Sequence, residues 1–427
     1  MTTLSRRALL GLSAAAVLTS TGCSGGSGGS GSEPQTLYTS WYGADPVHQA
    51  MDANLKAFAA AHAGVTTSSS HAPFADYWDK LATEVAGGKG PDVYRMSMSY
   101  FSEYADRGAL LDLTELAGST IATADLDADV LASGTIDGKM MAIGQSSISH
   151  ATFRNPTLVD SVGGKLPTEW DWAGLAEFAK GFAGEVGAGK WGVSDAGGNF
   201  QIFEVYARQH GTELFSGSSL AVGLDVIESW FAYWDDLRKA KAAPPADVSG
   251  ETGTIETSTL GKGTTPIAFG WVQQVTFYQP LVGDSVIEVM PVPGKTPGST
   301  DGQFLKALDF WAVSGATKAP ELAAQLVSYL VNDPAAIKST GLTLGVPPSA
   351  KARELVGAES KSAAGRAIAY VDTISERVGP PPAAWPKGYG ALLSGFTRAN
   401  ENVGFGKADP AKAAADFVAE AKTALAG

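Results

Sequence analysis

Two tryptophans, each at the end of a β-prone run, are the residues whose type and placement best suit ligand chemistry. Trp41 follows residues 36–40 and Trp271 follows residues 266–270, and a polar loop comes after each of them. An exposed indole stacks on the apolar C–H face of a pyranose ring, while nearby amides, hydroxyls and carboxylates hydrogen-bond the sugar hydroxyls. On this reasoning the candidate ligand contacts are Trp41, Asp45, Ser97, Ser99, Gln145, Trp271, Gln273 and Gln274.

Some of these residues and their neighbours also fit a purely structural role. Asp45 followed by Pro46 suits the N-cap and first position of a helix. Arg95 and Arg154 suit either an acidic sugar or an internal carboxylate, and the internal partner is the commoner fate of a buried arginine. Four further tryptophans fall on apolar helical faces and are expected in the core, namely Trp78, Trp172, Trp230 and Trp234.

Composition and charge exclude several classes of function. The five histidines show no HExxH or paired spacing, and Cys23 is the one thiol, so we expect no metal site and no cofactor. The chain carries 31 basic and 44 acidic residues, a net charge of −13, without any cluster of lysine and arginine. A nucleic-acid partner is therefore not expected.

The elements that position the candidate residues alternate between strands and helices. Apolar residues at helical spacing predict a helix with Val47, Met51, Leu55 and Phe58 on one face and another through residues 74–85. Strands are predicted at residues 36–41, 91–96, 140–143, 190–193 and 266–270. This alternation is typical of an α/β fold with a parallel sheet, where ligands meet the carboxyl ends of the strands.

The N-terminus predicts export and membrane attachment. Arg6-Arg7 and about ten apolar residues after them form a signal peptide, residues 1–22, that is too short to span a bilayer. Ser20-Thr21-Gly22-Cys23 resembles a bacterial lipoprotein signal, in which the Cys23 thiol takes a diacylglycerol. The paired arginines also resemble a twin-arginine signal, so the export route stays open between Sec and twin-arginine. Residues 23–33 comprise the lipidated cysteine and a flexible Gly/Ser tether.

A set of motifs in a constant order runs through the remaining chain. Asp137-Gly138-Lys139 forms a turn. A strand follows it, and the start of a helix comes next, up to Trp172. The other motifs are Gly90-Pro91-Asp92-Val93, residues 108–114 (GALLDLT) and residues 341–348 (GLTLGVPP). Together they resemble the family 1 extracellular solute-binding proteins of ABC importers. Gln145 departs from the family pattern, which has a proline there, and so places an amide at the hinge side of the cleft.

The resemblance implies a fold and a function. It implies an α/β, two-lobed periplasmic-binding-protein-like fold (type II) with the ligand cleft between the lobes. Lobe 1 would comprise residues 34–144 plus 303–345 and lobe 2 residues 145–302 plus 346–427, with hinges near Gly144 and Val346. The protein would be a monomeric, non-enzymatic lipoprotein on the outer face of the cell membrane. It would deliver a carbohydrate to an ABC permease, and the few cations near the cleft favour a neutral oligosaccharide.

Two other functions stay open from sequence alone. A secreted glycoside hydrolase would need two carboxylates about 5 to 10 Å apart across the cleft, and acidic residues are plentiful. A binding protein for another solute, such as a peptide, would share the fold. Neither the sugar nor its length follows from the sequence.

Overall fold

The computed structural model describes residues 35–165, 170–252 and 254–426. Its strands are β1 (Gln35–Tyr42), β2 (Val65–Ala72), β3 (Val93–Ser97), β4 (Thr135–Ile136), β5 (Lys139–Met140), β6 (Ile143–Gly144), β7 (His150–Arg154), β8 (Phe215–Ser216), β9 (Ser219–Leu220), β10 (Ile267–Trp271), β11 (Glu288–Met290) and β12 (Asp309–Val313). The signal peptide, Cys23 and the whole tether lie outside the described residues.

Helices account for most of the remaining chain. They are α1 (Asp45–Ala61), α2 (Phe74–Ala86), α3 (Met98–Asp106), α4 (Ala128–Ser133), α5 (Pro156–Asp160), α6 (Trp172–Glu185), α7 (Phe200–Gln209), α8 (Leu224–Lys239), α9 (Ala246–Gly250), α10 (Val275–Tyr278), α11 (Pro320–Asn332), α12 (Pro334–Thr340), α13 (Ala350–Val356), α14 (Ala363–Ser375), α15 (Tyr389–Gly404) and α16 (Pro410–Leu425). No helix in the described part of the chain combines the length and apolar character needed to cross a bilayer.

The larger sheet has five strands in the order β2-β1-β3-β12-β6. β1, β2 and β3 are parallel, whereas β12 runs antiparallel to both β3 and β6. Side chains alternate between the two faces of each strand. Leu37, Trp41 and Trp311 therefore enter the core beneath α1 and α11, while Tyr42 and Met96 belong to the core on the opposite face.

The second sheet is smaller and wholly antiparallel, with three strands in the order β10-β7-β11. Its register places Trp271 opposite His150, and Arg154 opposite both Ile267 and Glu288. The core beside this sheet contains Trp172, Trp230 and Trp234, as the sequence predicted.

Three segments of chain run side by side between the two sheets, and we call residues 145–149, 303–308 and 344–348 the three crossings. Ile148 and Lys306 exchange two backbone hydrogen bonds of 3.0 Å, and the Ser147 amide donates to the Val346 carbonyl at 2.8 Å. The three crossings are thus joined by backbone hydrogen bonds.

The α/β class is confirmed, but several local predictions were wrong. Residues 190–193 form no strand, and residues 140–143 contain a break between β5 and β6. Asp45 is the first residue of α1 rather than its N-cap; Ala44 holds that position without a side-chain hydrogen bond. β2 was not predicted because its sequence, VTTSSSHA, lacks an apolar face and lies at the sheet edge.

Candidate functional site

A cavity of about 350 Å³ lies at the carboxyl end of β10 and is the best candidate for a ligand site. Its lining combines aromatic rings with amides and hydroxyls. The lining residues include His150, Ser194, Asn199, Gln201, Ser249, Thr252, Thr254, Ser258, Thr259, Phe269, Trp271, Gln274 and Tyr278. This mixture of apolar surface and a few fixed polar groups is typical of small-molecule sites, which span roughly 300–1,000 Å³.

Trp271 is the last residue of β10, and its ring forms one wall of the cavity. It stacks on His150 of β7 with ring centroids 3.7 Å apart, and its Nε1 donates to Gln201 Oε1 at 3.2 Å. Burial, together with the Lys306 ammonium, holds the pKa of His150 well below its ordinary value, so this imidazole is neutral. The two stacked rings, 8% and 2% exposed, therefore form an uncharged aromatic wall, which we call the aromatic platform.

The amides around this platform are fixed by the backbone. Asn199 is the N-cap of α7, and its Oδ1 accepts from the Gln201 and Ile202 amides at 3.1 Å each. Gln274 Oε1 accepts from the Trp271 amide at 3.0 Å, which leaves the Gln274 amide NH₂ for other acceptors. Such groups are suited to hydrogen bonding with a polyhydroxylated ligand.

Asp195 is the one carboxylate among the described residues that line the cavity. Its Oδ2 lies 2.7 Å from Arg238 Nη1, and both side chains are almost fully buried. Its Oδ1 also accepts from the Gly197 amide at 2.8 Å. This carboxylate is thus neutralised by a structural partner, and the lining offers no second one to pair with it in acid–base chemistry.

The carboxyl edge of the larger sheet carries a second polar group that sequence reasoning missed. Asp309, at the start of β12, accepts from Arg95 Nη2 at 3.0 Å and from the Tyr42 hydroxyl. Arg95 also donates to the Tyr42 carbonyl at 2.7 Å. Arg95 and Arg154 therefore both pair with internal carboxylates, the latter with Glu288, as the commoner alternative predicted.

Aromatic side chains gather beside this edge. Tyr42 contacts Phe74 and Trp78 with ring centroids 5.0 and 5.5 Å away, and Trp78 stacks on Tyr100 at 3.9 Å. Phe74 is 47% exposed although it is large and apolar. The helical pattern at residues 74–85 identified these residues as packing but gave no sign that one ring faces solvent.

The predicted contacts in the first hundred residues do not come together at the cavity. Trp41 is fully buried in the core under α1, where its Nε1 donates to His48 Nδ1 at 3.0 Å. Asp45 is exposed, and Ser97 is buried as the N-cap of α3, accepting from the Ser99 amide at 3.4 Å. Ser97 and Ser99 thus lie at the carboxyl edge of the larger sheet, near Asp309, which is opposite Ser97 in register.

The three predicted glutamines differ in their surroundings. Gln145 is buried at the start of the first crossing, where its Nε2 donates to the Leu344 carbonyl of the third crossing at 3.1 Å. Gln273 does not line the cavity, whereas Gln274 does, next to Trp271. The structure thus brings together Trp271 and Gln274 and adds His150, Asn199 and Gln201, which sequence reasoning missed because they come from separate elements.

A buried lysine lies directly behind Trp271. Lys306 Nζ is 3.9 Å from the centroid of the Trp385 ring, 4.9 Å from Phe304 and 5.8 Å from Trp271, and 3.5 Å from Glu204 Oε2. Burial lowers the pKa of Lys306 to about 8, although the Glu204 carboxylate opposes this shift. We call Lys306, Glu204, Phe304 and Trp385 the lysine cage.

Comparison with known proteins gives a consistent result. Residues 53–367 match the family model described as bacterial extracellular solute-binding protein. The structure also resembles an extracellular solute-binding protein family 1 member from Alicyclobacillus acidocaldarius, with 27% identity and a TM-score of 0.76 over 92% of this chain and 99% of that one.

Two more distant structures share the fold and were solved for carbohydrate binders. One is a periplasmic oligogalacturonide-binding protein from Yersinia enterocolitica, at 18% identity and TM-score 0.75, covering 92% of this chain and 100% of that one. The other is the GacH receptor of Streptomyces glaucescens, described unliganded and with acarbose, at 18% identity and TM-score 0.71, covering 91% and 99%. At these identities the likeness concerns the fold.

Proposed function

Because this chain belongs to the bacterial extracellular solute-binding proteins, which serve ABC importers, we propose that its own solute is a neutral carbohydrate. The observation that carries this proposal is the aromatic platform of Trp271 and His150, surrounded by amides and hydroxyls in one cavity. An uncharged pyranose matches such a wall, since its C–H face stacks and its hydroxyls both donate and accept.

The charge of the cavity supports a neutral rather than an acidic sugar. Its described lining residues include neither lysine nor arginine, and Asp195 is already paired with Arg238. An acidic sugar would need a cation to offset the loss of water around its carboxylate. The same lining argues against hydrolysis, because a glycosidase needs two carboxylates and the cavity offers one that is paired.

We also propose the transport role that goes with this capture. The two lobes, with the boundaries given above, would close over the sugar by a hinge motion at the three crossings, and the sugar would stabilise the closed state through its extra contacts there. The lipidated Cys23 would hold the protein at the outer face of the membrane, and the closed form would be delivered to a permease.

A binding screen on the mature protein tests the proposal. We expect a neutral sugar, with maltotriose as the first probe in a panel of neutral oligosaccharides, to raise the melting temperature and reduce the radius of gyration in solution scattering. Digalacturonic acid and trialanine should produce neither effect. Release of reducing ends would instead favour the hydrolase, and a shift with trialanine alone would favour a peptide binder.

Trp271→Ala should weaken binding of the sugar found in that screen by roughly ten- to a hundredfold, as expected for a buried aromatic contact. The matched control is Trp191→Ala, which removes a half-buried indole outside the cavity lining. Trp271→Phe keeps a ring but loses the bond to Gln201, so it should retain intermediate affinity. Equal affinity in all three variants would exclude Trp271 from the site.

A further inference from the structure

Three arginine side chains line a groove between β11 and α14. Its volume is about 450 Å³, and Arg154, Arg366 and Arg377 line it together with a single carboxylate, Glu288. The rest of the lining is apolar or hydroxyl-bearing: Val289, Met290, Pro291, Ser360, Ala369, Tyr370, Thr373 and Ile374. The groove is therefore locally positive in a chain whose net charge is −13.

Two of these arginines are exceptional in lacking a carboxylate partner. Seven of the nine arginines in residues 35–165, 170–252 and 254–426 form an ion pair within 4.0 Å: Arg95, Arg107, Arg154, Arg208, Arg238, Arg353 and Arg398. Arg366 and Arg377 form none, and both line this groove. Acidic side chains outnumber basic ones, so scarcity of carboxylates does not account for the exception.

The contacts that Arg366 and Arg377 do make are with neutral acceptors. Arg366 donates to the Gln279 Oε1 and to the Lys361 carbonyl, and its Nε is buried without an acceptor. Arg377 donates to the Gly298 carbonyl at 2.9 Å. These bonds fix the direction of both guanidinium groups without neutralising them. A guanidinium stays charged and presents a planar set of donors that matches carboxylate and phosphate oxygens.

The shape of the groove indicates an elongated ligand. Arg366 lies in the first turn of α14 and Arg377 just past its end, so their Cα atoms are about 16 Å apart at 1.5 Å per residue. Between them lies an apolar floor that includes Met290 and Ile374. We propose that this groove is a second binding site, which takes an organic oxyanion with a carboxylate or phosphate on an apolar body.

This site is separate from the proposed sugar cavity. Arg154 and His150 stand at opposite ends of β7, about 13 Å apart at 3.3 Å per residue. Tyr370 lies between the two places, since it lines the groove and its hydroxyl donates to the His150 carbonyl at 2.6 Å, and neither Arg366 nor Arg377 lines the cavity. The proposal therefore does not rest on the nature of the solute bound at Trp271.

Calorimetric titration of the mature protein with phenyl phosphate tests the site, with benzyl alcohol as the uncharged comparison. We expect saturable binding of one phenyl phosphate per chain and none of benzyl alcohol. Arg366→Gln or Arg377→Gln, whichever removes the guanidinium that holds the phosphate, should weaken binding roughly tenfold through loss of a charge-assisted contact, and the double variant should weaken it at least as much. Arg366→Lys keeps the charge and should lose less. Arg398→Gln, at a surface pair with Glu420, should bind like the unaltered chain.

A free organic phosphate and a lipid headgroup present the same oxyanion, and a vesicle assay distinguishes them. Binding to phosphatidylglycerol vesicles, lost in Arg366→Gln, would identify a headgroup, whereas binding of phenyl phosphate alone would identify a free solute. Absence of binding to both, or equal binding in Arg366→Gln, Arg377→Gln and Arg398→Gln, would overturn the site. Normal melting of the two glutamine variants would show that lost binding is not lost folding.

Discussion

At the scale of single residues, the lysine cage contains the ion pair that is most completely buried among the described residues. Lys306 and Glu204 are each 1% exposed, so neither charge is hydrated and each is stabilised by the opposite charge of its partner. Lys306→Met leaves the Glu204 charge buried alone and should lower the free energy of unfolding by about 3–5 kcal/mol. The double variant Lys306→Met/Glu204→Leu should recover most of this loss, as chemical denaturation would show.

The same pair predicts a pH dependence. The pKa of Lys306 is about 8 in the folded protein and about 10.4 in an unfolded chain. Between these values the unfolded state binds more protons, so this residue makes the free energy of unfolding rise from pH 8 towards pH 10, by at most about 3 kcal/mol. Below pH 8 the contribution of Lys306 to the free energy of unfolding does not change with pH. The double variant should lack this rise, and an unchanged profile would contradict the lowered pKa.

Residue types alone could not decide which aromatic side chains face a ligand. Trp41 was expected at the end of a strand, but β1 continues to Tyr42, and the alternation of side chains then directs the indole into the core. Trp271 ends its strand as expected and does line the cavity. The contacts of His150 and Gln201 with Trp271 could not be predicted from residue types, because they depend on pairing between distant parts of the chain.

At the scale of elements, the close approach of the crossings depends on a glycine. Gly345 has φ +105°, and a Cβ there would lie 2.7 Å from the Ser146 Cβ. Gly345→Ala should therefore lower the free energy of unfolding by roughly 1–3 kcal/mol, through backbone strain and steric contact together. Thermal and denaturant unfolding of the purified variant would measure the loss.

The chain offers a matched control for that substitution. Gly357, after α13, also has a positive φ, +63°, but a Cβ there meets nothing within 4 Å. Gly357→Ala places alanine in the left-handed helical region without a clash, so it should lose less stability than Gly345→Ala, which adds both a φ outside that region and the contact with Ser146. Equal losses would show that the crossings are free to separate.

Elements with strong apolar periodicity could be predicted, and those defined by their neighbours could not. α1 buries Val47, Met51, Leu55 and Phe58, as their spacing required. β2 is polar and becomes a strand only because β1 pairs with it along its whole length. In residues 190–193, Trp191 and Val193 favour a strand, yet the amides of this segment donate to the Thr264 and Ala242 carbonyls, which lie outside the strands.

At the scale of the whole molecule, the order of weak motifs identified the family and the fold, which the matched residues 53–367 confirm. The proposed attachment at Cys23 lies outside the described residues and stays a prediction. Cys23→Ser should move the protein from the membrane fraction to the medium and abolish labelling by fatty acid, since two acyl chains are needed for stable anchoring. Ser27→Ala, in the tether, is the control. Retention of Cys23→Ser in membranes would contradict the anchor.

The position of β12 in the larger sheet has a consequence for folding during synthesis on the ribosome. β3 ends at Ser97 and pairs with a strand that begins at Asp309, so the centre of the sheet stays open until the ribosome has added the intervening residues. At about 5–20 residues per second this interval lasts roughly 10–40 s. Throughout it, one edge of β3 lacks its final neighbour. Of the two export routes that the N-terminus leaves open, this delay favours the Sec route, whose channel accepts only unfolded polypeptide.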